Sequence, residues 1–368
     1  MKVGIAKYGD WRTWIVHFYI ASNENGSFLL YFEYLEGRKQ YLRDIEDCAK
    51  SFGYYKKEKQ DNEGNDERID LPPGWDVYET DHYLIQNNLG DRSKVRDFAK
   101  RVEMLNKYHR KVVYPRDDLE KIRSNKQRPK FIIKYFKNHK GFQGYAGDEG
   151  VWGAAAYYSP SRGEIAFYLS GWKKKSQGIL YHEATHQYLQ EFVGGPRVRF
   201  HIWINEGLAE YFNGAGMQSI SKIELGGKLK TSEQTVKAAI RNGKVLQFKD
   251  VIGMTQRQYY RLGRFAYDHG WAMVYFLLHC DNERYNKIVP NYFHRIQEQT
   301  FPVLQKLAEE GMDINEDEEA EDRDAKPDWA KEDDEASILV KAQENAKNDV
   351  FQGIDLDKLQ EEFEEYWR

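Results

Sequence analysis

Two stretches near the start of the chain combine aromatic and β-branched residues in the pattern of paired strands. WIVHFYI and FLLYFEYL lie between residues 11 and 36 and are separated by the turn-forming SNENGS. This arrangement predicts a β-hairpin. The GRKQYLRDIEDCAKSFGYY that follows has a short helical pattern. We therefore predict a small β-rich module over residues 1–55.

The pattern changes at about residue 56, where charged residues replace apolar ones and two prolines close the stretch KKEKQDNEGNDERIDLPPG. Such a composition indicates a linker, which we place over residues 56–74. Beyond it, strand patterns are frequent up to the middle of the chain, and helical patterns dominate from about residue 228. Strands first and helices later predict an α+β unit over residues 75–310, with a β-rich half and a helical half.

The charge distribution adds two further segments. The chain of 368 residues has a net charge of −4, but residues 313–335 alone carry 13 acidic and 3 basic side chains. Stretches of this kind do not bury enough apolar surface to fold, so we predict a disordered acidic insertion over residues 311–336. The amphipathic LDKLQEEFEEYWR near the end of the chain predicts a C-terminal helical segment over residues 337–368, packed on the α+β unit.

Composition excludes several classes of protein. The basic clusters outside the acidic stretch are short, as is typical of solvated faces, so we expect no nucleic-acid partner. No apolar run reaches membrane-spanning length, and MKVGIAKYGDWRTW lacks the continuous apolar stretch of a signal peptide. With only Cys48 and Cys280 present, neither a disulfide framework nor a thiolate metal site is expected.

The clearest chemical motif is GILYHEATHQYLQEFVGG, residues 178–195. On a helix, His182 and His186 lie one turn apart on the same face, so both imidazoles can bind one zinc ion. Glu183 lies beside them and is placed to act as a general base, as in the H-E-x-x-H arrangement. An alternative remains open, because both histidines also lie on the apolar stripe of this helix, where they could be hydrogen-bonded core residues.

A second helical stretch, WINEGLAEYF, has features that local helix propensity does not explain. Glu206 and Glu210 are like charges four positions apart, and Gly207 disfavours the helix by about 1 kcal/mol. A nearby cation would account for the two carboxylates. We interpret Glu206 as a third zinc ligand, Glu210 as the acceptor for the spare N–H of a ligating histidine, and Gly207 as the residue that lets this helix approach the first one.

HEATH followed by NEGLAE, with Glu206 20 positions after His186, resembles the gluzincin clan of zinc metallopeptidases. The wider segment, with WGAAAYYSP, GEIAFYL and YDHGWAMVYFLL, is similar to peptidase MA-like proteins of the domain-of-unknown-function 1570 type. The resemblance implies a zincin fold for the α+β unit. It also implies that His182, His186 and Glu206 are zinc ligands, with Glu183 as the base and Glu210 behind the ligands.

The same resemblance implies a tyrosine or histidine from the helical half that stabilises a developing oxyanion. Tyr267 in YDHGWAMVYFL is the first candidate by its position, and Tyr260 and His269 are alternatives. Core packing on an apolar helix explains Tyr267 equally well.

The strand GEIAFYL precedes the histidine motif and resembles the edge strand on which gluzincins bind an extended peptide. The candidate substrate-binding residues are Glu164, Ile165, Ala166 and Phe167. An ordinary strand paired on both sides accounts for the same sequence. The N-terminal module is similar to the small SH3-like barrels found before such catalytic domains.

Together these observations predict a metallopeptidase with one catalytic zinc ion, acting on a peptide or protein substrate through a metal-activated water with Glu183 as the general base. Two other functions stay open. One is a zinc-stabilised scaffold that binds a partner without catalysis, and the other is a zinc hydrolase for a non-peptide amide or ester. The resemblance implies an exported protein, whereas the first residues carry no signal peptide, so the compartment stays open.

Overall fold

A computed structural model gives the fold of two compact units, Met1–Ile69 and Asp70–Arg368. In the first unit it describes the backbone of three strands. In the second unit it describes residues 71–114, 130–147, 154–160, 162–168, 174–195, 198–214, 216–219, 222–224, 227–309 and 336–368. The predicted linker lies outside the described residues up to residue 70, and the acidic insertion lies outside them apart from Ala336.

The described part of the first unit is an antiparallel sheet in the order β1-β2-β3. Its strands are β1 (Lys2–Tyr8), β2 (Trp14–Asn23) and β3 (Gly26–Leu35). Strands β2 and β3 form the hairpin predicted from the aromatic pattern, and the pairing ends at Asn23 opposite Gly26. The helical pattern predicted after this hairpin lies outside the described residues, so the SH3-like barrel stays a prediction.

The second unit is mixed α+β, and five of its strands form a sheet in the order β4-β5-β6-β8-β7. The two outer pairs are antiparallel, and the inner pairs β5-β6 and β6-β8 are parallel. The strands are β4 (Asp76–Glu79), β5 (Tyr83–Asn87), β6 (Phe131–Phe136), β7 (Ala156–Ser159) and β8 (Glu164–Tyr168).

Both faces of this sheet are covered by helices. Helix α1 (Arg92–Val112) is capped by Asp91, and Phe98 packs against Tyr135 and Phe167 on one face. Helix α2 (His139–Ala146) covers the other face, where Phe142 contacts Phe136 and Tyr157. Because neighbouring residues of a strand point to opposite faces, β8 contributes Phe167 to the first core and Ala166 to the second.

The histidine motif lies on helix α3 (Lys174–Tyr188), which continues as a π-helical turn (Leu189–Gly194). The glutamate motif lies on helix α4 (Ile202–Asn213), and two short strands follow, β9 (Gly216–Ser219) and β10 (Lys222–Glu224). The rest of the second unit is helical: α5 (Lys230–Arg241), α6 (Phe248–Val251), α7 (Gln256–Arg261), α8 (Arg264–His279), α9 (Ile288–Glu309), α10 (Ala336–Phe351) and α11 (Leu356–Tyr366).

Helices α10 and α11 pack on this helical half. The His201 imidazole, at the start of α4, lies 2.6 Å from the Glu344 carboxylate on α10. Trp367, at the end of α11, is fully buried, and its ring lies 5.2 Å from that of Trp271 on α8. None of the helices in the described part of the chain combines the length and apolar content that a membrane crossing requires.

One buried histidine connects helix α1 to the back of helix α3. His109 lies between the rings of Tyr188 and Phe212, and its Nε2 is 2.9 Å from the hydroxyl of Thr185. Burial lowers the pKa of His109 to about 3, because the charged imidazolium would lose its hydration there. The folded protein therefore holds this side chain neutral, whereas the unfolded chain protonates it near pH 6.5.

We expect this difference to destabilise the protein in mild acid. Stability is retained above pH 6.5 and falls as the pH decreases from 6.5 towards 3, since the unfolded chain binds a proton that the folded protein does not. His109→Phe removes this proton. Between pH 7.5 and pH 5 the wild type should lose about 2 kcal/mol more unfolding free energy than the variant, as measured by chemical denaturation. The exposed His294→Phe is the control, and an equal pH dependence in wild type and His109→Phe would contradict the expectation.

Candidate metal centre

Helix α3 presents its two motif histidines on one face, as the four-residue spacing predicts. The Nε2 atoms of His182 and His186 are 3.1 Å apart. Two imidazole nitrogens at this separation either share a proton or bind one cation. Both rings are partly buried, so few water molecules reach this pair of nitrogens.

Helix α4 brings Glu206 to the same point. Its Oε2 lies 3.2 Å from the Nε2 of His182 and 3.4 Å from the Nε2 of His186. A tetrahedral ion with metal–ligand distances near 2.0–2.2 Å sets its ligand atoms roughly 3.3 Å apart. These three atoms therefore form one face of a tetrahedron of the size that zinc requires, and within the described residues this is the group of side chains suited to a metal ion.

Glu206 and His186 strongly affect each other's pKa values. Burial alone would lower the pKa of His186, but the adjacent Glu206 carboxylate outweighs burial and raises it. Burial would likewise raise the pKa of Glu206, yet the two imidazoles hold it well below its usual range. Glu206 is thus an ionised carboxylate in a nearly dry position, which requires a neighbouring positive charge.

Glu183 faces the β-sheet. Its Oε2 accepts a hydrogen bond of 2.9 Å from the backbone N–H of Tyr158 on β7. Burial raises the pKa of the Glu183 carboxyl, and the nearby His182 and His186 rings oppose that rise. A carboxylate with a raised pKa next to a candidate metal site is suited to accepting and releasing a proton.

Two side chains face the outer nitrogens of the histidines. Asn205 Oδ1 lies 3.0 Å from the Nδ1 of His186. Glu210 Oε1 lies 3.6 Å from the Nδ1 of His182, slightly beyond hydrogen-bond distance. Sequence reasoning identified Glu210 but missed Asn205, although Asn205 immediately precedes the proposed ligand Glu206.

Arg264 is a further residue that sequence reasoning missed. Its guanidinium donates two hydrogen bonds to Glu210, of 2.8 and 3.2 Å, and a third of 3.0 Å to Asp268. Asn213 donates another to Glu210 at 3.0 Å. Arg264 therefore balances the charge of the buried Glu210 carboxylate, and these hydrogen bonds fix the orientation in which it faces His182.

The three candidates for the oxyanion donor take different places. The side chains of His182, His186 and Glu206 are called the metal cluster below. The Tyr267 ring lies 6.4 Å from the His182 ring, so it borders this cluster. The Tyr260 hydroxyl donates a hydrogen bond of 2.9 Å to Oε1 of Glu206. His269 is fully buried, and its Nδ1 bonds the carbonyl of Phe265 on its own helix. Its complete burial argues against His269 as a donor to a substrate.

One comparison with known protein families gives a match over part of the chain. Residues 177–296 match the family described as Protein of unknown function (DUF1570). The matched segment is less than half of the chain, and it contains all candidate metal and proton-transfer residues. Searches among curated proteins and among solved structures give no match.

The prediction that β8 is an edge strand is wrong. Glu164, Ile165, Ala166 and Phe167 are buried on a strand paired with β6 on one side and β7 on the other. Their backbone groups are therefore not free to pair with a peptide. Within the described residues, the edge of the sheet next to helix α3 is β7.

The partner of Gly207 also differs from the prediction. A Cβ atom on Gly207 would lie 2.5 Å from the carbonyl oxygen of Gly270 on α8, so this glycine lets α4 approach α8 and not α3. The close approach of α3 to α4 depends on Gly178, where a Cβ atom would lie 3.0 Å from the carbonyl oxygen of Asn213. The glutamate helix is thus packed closely on both sides.

Removing the carboxylate of Glu210 should weaken metal binding. Glu210→Ala leaves Arg264 without its main partner and removes the group facing His182, so we expect zinc affinity to fall by roughly 10- to 100-fold. Competition with a chromophoric chelator measures this change, with the exposed Glu283→Ala as the control. Unchanged affinity would show that Glu210 does not orient a ligand.

Proposed function

We propose that this protein is a zinc-dependent metallopeptidase. The observation that carries the proposal is the convergence of His182, His186 and Glu206 within metal-binding distances, with Glu183 beside them. Two imidazoles and one carboxylate are the donor set of catalytic zinc sites, which keep a fourth position for water or substrate. Zinc bound there would polarise a carbonyl group and acidify a water molecule.

Glu183 would transfer the protons of the reaction. Its raised pKa and its place beside the ligands support a role in which it takes a proton from the attacking water and later gives it to the leaving amine. The backbone N–H of Tyr158 holds one oxygen of this carboxylate and leaves the other for proton transfer. Because Tyr158 lies on β7, this hydrogen bond holds the proposed base Glu183 next to that strand.

Tyr267 is the proposed donor to the developing oxyanion. Burial and three nearby carboxylates raise the pKa of its hydroxyl, so the group stays protonated and able to donate. Tyr260 stacks against Tyr267, but its hydroxyl is already bonded to Glu206. The Tyr267 hydroxyl is itself in hydrogen-bond contact with Tyr260. The Tyr267 ring borders that of His182, which favours Tyr267 for the role.

Within the described residues, β7 is the outermost strand of the sheet beside helix α3, which supports a peptide as the substrate. Tyr168 donates its N–H to the carbonyl of Ala155, so alternate residues of this edge pair with β8. By that alternation, Ala156 and Tyr158 direct their backbone groups away from β8, and the Tyr158 N–H indeed reaches Glu183. An extended peptide could lie along this strand and pass the metal cluster.

The test is a joint measurement of bound zinc and of new amines released from an unfolded protein. We expect one zinc per chain and amine release by the wild type, and neither by the His182→Ala/His186→Ala double variant. Zinc with hydrolysis of esters or small amides alone would identify a non-peptide hydrolase. Zinc without any hydrolysis would identify a binding scaffold, and absence of zinc would overturn the proposal.

A further inference from the structure

The two oxygens of Glu206 have different partners. Oε2 faces both histidine nitrogens, at 3.2 and 3.4 Å. Oε1 instead accepts the hydrogen bond of 2.9 Å from the Tyr260 hydroxyl. The carboxylate therefore presents one oxygen to the metal cluster, and the other is held by a side chain from a different helix.

The position of Tyr260 is fixed by its surroundings. Its helix α7 begins with a capping box in which Thr255 and Gln258 bond each other's backbone N–H groups. The preceding Tyr259 is fully buried and donates a hydrogen bond of 2.7 Å to the carbonyl of Ala266. The ring of Tyr260 lies nearly parallel to that of Tyr267, at 12° and 6.2 Å between centroids.

The exposure of Tyr260 argues against a role in the core. Its side chain is 41% exposed, an unusual value for a tyrosine whose hydroxyl bonds a buried carboxylate. The ring of Tyr260 lies at the border of the site, so its packing does not require the hydroxyl. The hydrogen bond to Glu206 is the contact through which this residue reaches the metal cluster.

We propose that Tyr260 is a positioning residue that makes Glu206 a one-oxygen ligand. The inference rests on the proposed zinc site. A carboxylate can bind a metal through one or both oxygens, and binding through both would occupy a further position around the ion. By holding Oε1, Tyr260 leaves that position for water or substrate, as a catalytic site requires.

The test uses the full chain, with zinc replaced by Co²⁺, whose visible absorption depends on its coordination number. Four-coordinate cobalt absorbs more strongly than five-coordinate cobalt. We expect Tyr260→Phe, which removes only the hydroxyl, to show weaker absorption per bound cobalt.

Tyr366→Phe is the matched control. It removes a hydroxyl from a tyrosine of similar exposure, 37% against 41% for Tyr260, on helix α11, so we expect it to leave the cobalt spectrum of the wild type unchanged. Equal thermal unfolding of both variants would show that the fold is intact. A wild-type spectrum in Tyr260→Phe would overturn the inference while leaving the proposed function standing. A wild type that binds neither metal would overturn both.

Discussion

Glu183→Gln is expected to lower the rate of peptide hydrolysis by roughly 10²- to 10⁴-fold, because an amide cannot accept the proton that a carboxylate takes from water. The substitution keeps the side-chain size, and the glutamine carbonyl can still accept the 2.9 Å hydrogen bond from the Tyr158 N–H. Bound zinc should therefore be the same in variant and wild type. Amine release and metal content measured on the same samples test both statements.

The control for this variant is Glu191→Gln. Glu191 lies on the π-helical turn after α3 and accepts a hydrogen bond of 3.0 Å from the Tyr158 hydroxyl, so it contacts the same tyrosine as Glu183. It has no proposed part in proton transfer, and we expect its rate to stay near that of the wild type. If Glu183→Gln retained full activity with zinc bound, another group would have to serve as the base.

Trp367→Ala is expected to lower the free energy of unfolding by about 3–5 kcal/mol, the usual cost of removing a large buried aromatic side chain. The Trp367 ring packs against Trp271 and Tyr275 of α8, with centroids 5.2 and 5.4 Å away. Helix α8 also carries Arg264 and Tyr267. The loss should therefore reduce the stability of the helical half that borders the metal cluster.

Chemical denaturation of the full chain measures this effect, with Tyr366→Ala as the control. Tyr366 is the neighbouring aromatic residue and is 37% exposed, so its removal leaves a smaller cavity and should cost clearly less. Equal losses in the two variants would show that the buried contacts of Trp367 do not anchor the C-terminal segment.

The convergence of His182, His186 and Glu206 was predictable because two short motifs contain these residues. Helical spacing alone places His182 and His186 on one face, and the charge pattern around Glu206 indicates a cation. The partners of Glu210 were not predictable in the same way. Arg264 reaches this carboxylate only because α8 packs on α4, and no local pattern reports on that contact.

The sequence of strand β8 contains a pattern that favours a strand inside the sheet over an edge strand. Ile165, Ala166 and Phe167 are consecutive apolar residues, and such a run is typical of a strand covered on both faces. An exposed edge usually alternates or carries charge. Strands β7 and β8 are neighbours in the sheet, and β8 pairs with β6, which leaves β7 at the edge. Sequence periodicity does not specify which of these two strands pairs with β6.

The π-helical turn after α3 has a consequence for the evolution of the motif. In this turn the N–H of Gly195 bonds the carbonyl of Gln190, five residues earlier, so the turn contains one residue more than an α-helical turn. A relative whose helix continues in the α form would reach the same end point with one residue fewer. We therefore expect alignments of related chains to place a single-residue gap between His186 and Glu206. A pattern that fixes this interval at 20 positions would then miss true relatives.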